Sequence, residues 1–180
     1  MTVPSCATHN NGNSRADDYL KFLLGAIAKN VPAEITGSAA RSAVRLAQRR
    51  SRNLRRHSLR WEGDVLVITN DFPLDFPLLR ACLEKIARAL YFHHHQGQRK
   101  LLGDVYACPL FIPIDPEKAP ELAEHVCVVR AAAALDFEQR PKLGPHQEIF
   151  AYQVNETDET VTINMEFYGR HRAMAMASMA

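Results

Sequence analysis

The sequence lacks several features that would place it in a specific class of protein. None of its apolar runs reaches the roughly 18 residues of a transmembrane helix. Its first residues carry neither the basic nor the apolar region of a signal peptide. The four cysteines are scattered along the chain, which is typical of reduced thiols rather than of a disulfide framework. These absences predict a cytoplasmic protein that does not associate with membranes.

The sequence also lacks the short motifs that identify common catalytic sites. It contains no glycine-rich phosphate loop, no nucleophile elbow and no matched pair of carboxylates. Internal repeats are absent as well. With 47% hydrophobic and 23% charged residues, the composition is that of a soluble globular protein. Function must therefore be inferred from three local features: a Cys-x-x-His pair, an arginine-rich segment and a histidine triplet.

The spacing of apolar residues predicts two or three helices. One helix is expected from Ser14 to near Asn30, with Tyr19, Leu20, Leu23, Leu24 and Ile27 along one side. A basic helix is expected at about 36–57, and a third runs from Pro77 to about His95 with Asp75 as its N-cap. Residues 119–126 also favour a helix. The next stretch, CVVRAAAALDF, is ambiguous, because its β-branched residues favour a strand and its alanines favour a helix.

The strand pattern predicts an α+β fold with an antiparallel sheet of about five strands. A hairpin is expected over 59–70, a strand over 104–113 and a short final strand over 170–176. The stretch 148–169 predicts two strands, because apolar and polar residues alternate through its second half. Residues 14–180 are expected to form a single domain that follows a loop-like N-terminal segment.

Charge is distributed unevenly. The segment from Arg41 to Arg60 contains eight arginines and no acidic residue, whereas the other 160 residues carry 14 basic and 20 acidic side chains. Clustered cations bind nucleic acids through the release of condensed counterions, and arginine suits bidentate phosphate contacts. This predicts binding to a nucleic acid, or to an acidic protein surface, by Arg41, Arg45, Arg49, Arg50, Arg52, Arg55, Arg56 and Arg60. The alternative is a solvated helix face paired with acidic residues of the same domain.

Two clusters contain residues that bind metals. Cys6 and His9 have the two-residue gap of a zinc knuckle, but a structural zinc site needs four ligands. The alternative is a loop in which the two residues are incidental. The triplet from His93 to His95 lies at the predicted end of a helix, where adjacent side chains point in different directions and cannot all bind one ion. A structural or capping role is favoured for the triplet. The alternatives are catalysis and metal binding, in which the triplet would complete the zinc site of Cys6 and His9.

The segment TVPSCATHNNGNSRADDYL resembles the second half of the zinc-knuckle and catalytic module of bacterial HNH-endonuclease-like proteins. The segments LEKIARALYFHHHQGQRKL, EIFAYQV and MEFYG are similar to later parts of the same proteins, so the resemblance spans most of the chain. It implies that residues 1–13 form a partial zinc knuckle, in which Cys6 and His9 match the second ligand pair and Asn10 matches a motif asparagine. Zinc is the one cofactor that it implies.

The first half of that module has no counterpart in the sequence. In the family, this half supplies two further zinc ligands and the histidine that activates the attacking water. The resemblance therefore implies a protein without catalytic residues. We expect a non-catalytic, nucleic-acid-associated binding protein, acting as an accessory or inhibitor subunit of a nucleic-acid-processing complex in conflicts that involve phages or mobile elements.

Two alternatives to this function remain. One is a metal-dependent HNH-type endonuclease whose site is completed by residues outside the motif or by an upstream segment. The other is a structural α+β domain that dimerises through exposed strands.

Overall fold

The computed structural model describes part of the chain in full and two short strands through their backbone alone. The fully described residues are 16–21, 23–24, 74–112, 114–117 and 119–179, and the backbone-only strands are 59–62 and 65–68. The backbone divides into two compact units, Pro4–Cys82 and Leu83–Ala180, with Met1–Val3 assigned to the second. The predicted knuckle at 1–13 and the predicted basic helix at about 36–57 lie outside the described residues.

Within the unit Pro4–Cys82, residues 16–21 and 23–24 are helical, and four residues of the predicted apolar stripe are buried: Tyr19, Leu20, Leu23 and Leu24. Ile27 lies outside the described residues. Tyr19 is fully buried, and its hydroxyl accepts a hydrogen bond of 2.7 Å from the backbone N–H of Asp75. The Cys82 thiol donates to Oδ1 of Asp17 at 3.5 Å. These contacts hold the helical segment against Asp75 and Cys82.

The hairpin predicted over 59–70 is confirmed. Strands β1 (Leu59–Glu62) and β2 (Val65–Ile68) are antiparallel, with Leu59 opposite Ile68. In the described part of the chain, each of these strands pairs only with the other.

The first complete helix, α1, spans Phe76–His94 and confirms the prediction for 77–95. It begins with a side-chain cap, because Oδ1 of Asp75 accepts a hydrogen bond of 3.1 Å from the N–H of Leu78. It ends at His94 and is followed by Gly97, whose φ of 83° lies in the left-handed region and whose N–H donates to the carbonyl of Phe92 at 2.8 Å. Glycine adopts this conformation at little cost, which explains why the helix stops here.

The unit Leu83–Ala180 is built on a four-stranded antiparallel sheet. Its strands are β3 (Val105–Pro109), β4 (Phe150–Glu156), β5 (Thr160–Phe167) and β6 (His171–Ser178), in the order β3-β6-β5-β4. The predicted α+β class is confirmed, as are the strands expected within 104–113, 148–169 and 170–176. The sheet has four strands rather than about five, because β1 and β2 form a separate ribbon.

The ambiguous stretch belongs to one long helix, α2, which spans Pro120–Gln139. The strand alternative for its first half is therefore wrong. Val126 and Ala133 lie two turns apart on the same side of the helix, and both pack against Cys108 and Leu110 beside the sheet. This burial stabilises the helical conformation of residues whose intrinsic propensities favour a strand at the valines and a helix at the alanines.

The two faces of the sheet have different compositions. On one face, β5 contributes Val161, Ile163 and Met165, and β6 contributes small buried side chains such as Ala175. The other face carries the polar side chains of β5 and is covered by α2. In α1, the buried apolar side chains include Leu83, Ala87 and Leu90. Each large apolar side chain buried in this way contributes about 1.5–3 kcal/mol.

No helix in the described ranges has both the length and the apolar character needed to cross a lipid bilayer.

Candidate functional site

Most of the residues predicted to bind a partner lie outside the described residues. This applies to Cys6 and His9 and to seven of the eight arginines: Arg41, Arg45, Arg49, Arg50, Arg52, Arg55 and Arg56. The backbone of Arg60 lies in β1, opposite Val67. Within the part of the chain that the structure describes, no group of three or more His, Cys, Asp or Glu side chains could hold a metal ion. The zinc site remains a prediction.

The histidine triplet lies at the C-terminal end of α1, as predicted, and makes contact with the sheet. His95 bonds through Nε2 to Oε1 of Glu156, and Arg99 donates to the other carboxylate oxygen at 3.0 Å. The rings of His95 and Tyr91 are 4.6 Å apart. Partial burial and the neighbouring His95 lower the pKa of His94. His95 thus attaches the end of α1 to the end of β4, which is a structural contact.

The most unusual chemistry in the described residues lies between α2 and the sheet. Glu166 on β5 is only 1% exposed, and its carboxylate accepts from Nζ of Lys142 at 2.5 Å and from Nε of Arg172 at 2.9 Å. Both cations also lie over the ring of Phe137 on α2, at 5.3 Å for the ammonium and 4.9 Å for the guanidinium. These residues form a buried charge cluster beneath the end of α2.

The electrostatics of this charge cluster do not suit acid–base catalysis. Burial by itself raises the pKa of Glu166, but the hydrogen bonds and positive charges of Lys142 and Arg172 outweigh it and hold the pKa below its usual value. The carboxylate therefore stays ionised near neutral pH, with both oxygens occupied by cations. It neither donates a proton nor has a free oxygen to accept one, so its role is to fix α2 and the loop that follows to the sheet.

A second polar group lies beside the charge cluster and joins α2 to β4 and β5. Oδ2 of Asp136 accepts from the side-chain amides of Asn155 at 3.0 Å and Asn164 at 3.1 Å. The amide of Gln153 donates to the backbone carbonyls of Asp136 at 3.0 Å and Arg140 at 2.8 Å. Gln153 therefore caps the C-terminal end of α2, where it shares the Asp136 carbonyl with the N–H of Arg140 and adds a donor for the Arg140 carbonyl.

Sequence reasoning missed both polar groups, although a signal was present. Thr162, Asn164 and Glu166 alternate with apolar residues along β5, a pattern that usually marks the solvent face of a half-buried strand. The structure buries Asn164 and Glu166 beneath α2 instead. A carboxylate and an amide in the centre of an otherwise well-formed strand were the available hint.

Most of the described cations of the second unit have partners within that unit. Arg88 donates to the carbonyls of Leu101 and Gly103, and Arg130 donates to those of Leu110 and Ile112. Lys142 and Arg172 are held by Glu166, as described above. From Leu83 to Ala180, 13 acidic and 10 basic side chains leave a net charge of −3. This unit therefore does not concentrate positive charge.

Comparison of the chain with protein-family models, with curated proteins and with solved structures gives no match.

Proposed function

We propose that this protein is a non-catalytic, HNH-endonuclease-like protein that binds nucleic acid through its arginine-rich segment, residues 41–60. In this proposal it acts as an accessory or inhibitor subunit of a nucleic-acid-processing complex. The observation that carries the proposal is the segregation of charge: eight arginines and no acidic residue lie within 20 positions of a chain whose remaining residues have a net charge of −6. Such segregation favours association with a polyanion.

The contacts of the second unit support assigning the interaction to the arginine-rich segment. Several of its cations are bonded to carbonyl oxygens or to a buried carboxylate, and these groups are not available to phosphates without loss of internal contacts. The unit is also net negative. A polyanion that binds this chain is therefore attracted to residues 41–60 rather than to the sheet and its helices.

The proposal is tested by titrating labelled duplex DNA, single-stranded DNA and RNA with the whole protein at several salt concentrations. We expect the affinity to fall steeply with salt. Changing Arg41, Arg45, Arg49 and Arg52 together to alanine should weaken binding and reduce the slope of log affinity against log salt by roughly 3, since each phosphate contact contributes about 0.7–0.9.

A matched control removes four cations from the other unit. Arg99, Lys100, Arg140 and Arg170 are all exposed, and their replacement by alanine changes the net charge by the same amount. We expect this variant to keep most of the affinity and nearly the full salt slope. Equal losses in both variants would show that binding follows net charge and not the arginine-rich segment. No binding to any of the three nucleic acids would favour the acidic protein partner instead.

The endonuclease alternative is tested separately. Zinc content is measured on the purified protein, and plasmid cleavage is assayed with added magnesium or manganese. Bound zinc together with metal-dependent cleavage would overturn the non-catalytic assignment while leaving nucleic-acid binding intact.

A further inference from the structure

Two buried amide side chains lie at directly paired positions of neighbouring strands. Gln153 on β4 is directly opposite Asn164 on β5, and the two side chains are 2% and 0% exposed. Neither Oε1 of Gln153 nor Oδ1 of Asn164 has a hydrogen-bond partner among the described residues. Buried polar atoms are nearly always hydrogen-bonded, so two unpartnered acceptors at one position require an explanation.

The orientation of both amides is fixed by their nitrogen atoms. Nε2 of Gln153 donates to two carbonyl oxygens at the end of α2, and Nδ2 of Asn164 donates to the Asp136 carboxylate. Turning either amide over would place its oxygen against these acceptors and would lose the hydrogen bonds. The two unpartnered atoms are therefore the amide oxygens.

We propose that these two oxygens form a binding site for one internal water molecule, which donates a hydrogen bond to each. Residues opposite each other in an antiparallel pair have Cβ atoms about 4.5–5.5 Å apart, so the two amide groups are neighbours on the same face. One water with two hydrogen bonds of about 2.8 Å spans acceptors up to about 5.6 Å apart. A buried water needs at least two polar partners, and the two amides supply them. The water completes the polar layer that joins α2 to β4 and β5.

The surrounding charges select water over a cation. Lys142 and Arg172 surround Glu166, which is only two residues from Asn164 on the same face of β5. Their positive charges disfavour a further cation nearby. The nearest carboxylate, Asp136, already accepts two amide hydrogen bonds, so it is poorly placed to balance a cation. A neutral molecule with two donor hydrogens fits both acceptors without adding charge.

The direct test is a crystal structure of the whole protein at a resolution that shows ordered water. We expect one peak within hydrogen-bond distance of both Oε1 of Gln153 and Oδ1 of Asn164. An empty space between the two oxygens, a peak bonded to only one of them, or a metal ion with short coordination distances would each overturn the proposal.

A solution test uses Asn164→Leu, which has a similar volume, adds no charge and removes Oδ1, while the Asp136 carboxylate keeps its hydrogen bond from Asn155. Magnetic relaxation dispersion of water counts the long-lived internal waters of each protein. We expect one fewer in Asn164→Leu and no change in the control Thr162→Val, which alters a partly buried neighbour on the same face. An unchanged count in a folded Asn164→Leu protein would overturn the proposal, and the crystallographic result decides the matter if this variant does not fold.

Discussion

Replacing Glu166 by glutamine should destabilise the protein, because it removes one charge from the buried charge cluster and leaves two cations without a counter-ion. The side chain of Glu166 is 1% exposed, whereas Lys142 and Arg172 are 33% and 30% exposed. Glutamine has nearly the same shape, so the substitution tests the charge rather than the packing.

The magnitude of this effect follows from the exposure of the two cations. Breaking a fully buried ion pair by removing one partner costs about 3–5 kcal/mol, because a charge is left buried and unpaired. Exposed pairs contribute only about 0–1 kcal/mol. Here the remaining cations are partly hydrated, and glutamine still offers one carbonyl oxygen as an acceptor. We therefore expect Glu166→Gln to lower the free energy of unfolding by about 2 kcal/mol at neutral pH.

Urea unfolding followed by far-ultraviolet circular dichroism measures this change, and amide exchange of β5 and β6 gives an independent reading. Glu148→Gln is the matched control, because the side chain of Glu148 is 73% exposed and has a distant partner in His146, at 3.6 Å. The control should change stability by less than about 0.5 kcal/mol.

The stability difference between the wild type and Glu166→Gln should depend on pH. The pKa of Glu166 is lower in the folded protein than in the unfolded chain, so ionised Glu166 stabilises the fold. This contribution is fully present above the unfolded pKa of about 4.3 and is lost as the pH falls through the lower, folded value. The difference between the wild type and Glu166→Gln should shrink over that acidic range. A difference equal to that of the Glu148→Gln control, or one that persists unchanged in acid, would refute the reasoning.

Two further predictions concern a backbone position and the cysteines. Gly144 has a φ of +125°, and an added Cβ would lie 2.8 Å from the carbonyl oxygen of Phe150, so Gly144→Ala should cost about 1–3 kcal/mol in urea unfolding. The control Gly103→Ala, with no atom within 4 Å of its added Cβ, should cost less than about 1 kcal/mol, and equal losses would contradict the backbone explanation. In the native protein a thiol reagent should modify exposed Cys127 quickly, whereas Cys108 should react only through local unfolding, because it is buried and burial raises its pKa. Peptide mass spectrometry separates the two sites, and equally fast labelling of both would show that Cys108 is accessible.

The sequence predicted those helices and strands for which the capping residues and the apolar periodicity indicate the same element. The helix α1 has an N-cap at Asp75, a wide apolar face and a glycine at its end, and all three place it within one residue of the structure at each end. The alternation of Val161, Ile163 and Met165 identified β5 in the same way. In both elements, residues close in the chain supply the turn chemistry and the periodicity, so no distant contact is needed to recognise them.

Other features depend on contacts between residues far apart in the chain. The valines and alanines of α2 have divided preferences, and the helix is selected because Val126 and Ala133 then share one side that packs against Cys108 and Leu110. Likewise, the spacing of Asn164 and Glu166 shows that they share a face, but not that α2 covers that face.

The sequence by itself determined the α+β class, the order of the described elements and the concentration of positive charge in residues 41–60, because each of these follows from neighbouring residues. Only the tertiary structure decided that a carboxylate and two amides on the polar side of the sheet are buried. Burial of a polar group depends on which element lies above it and which donors that element brings, and here Lys142, Arg172 and the end of α2 come from other parts of the chain.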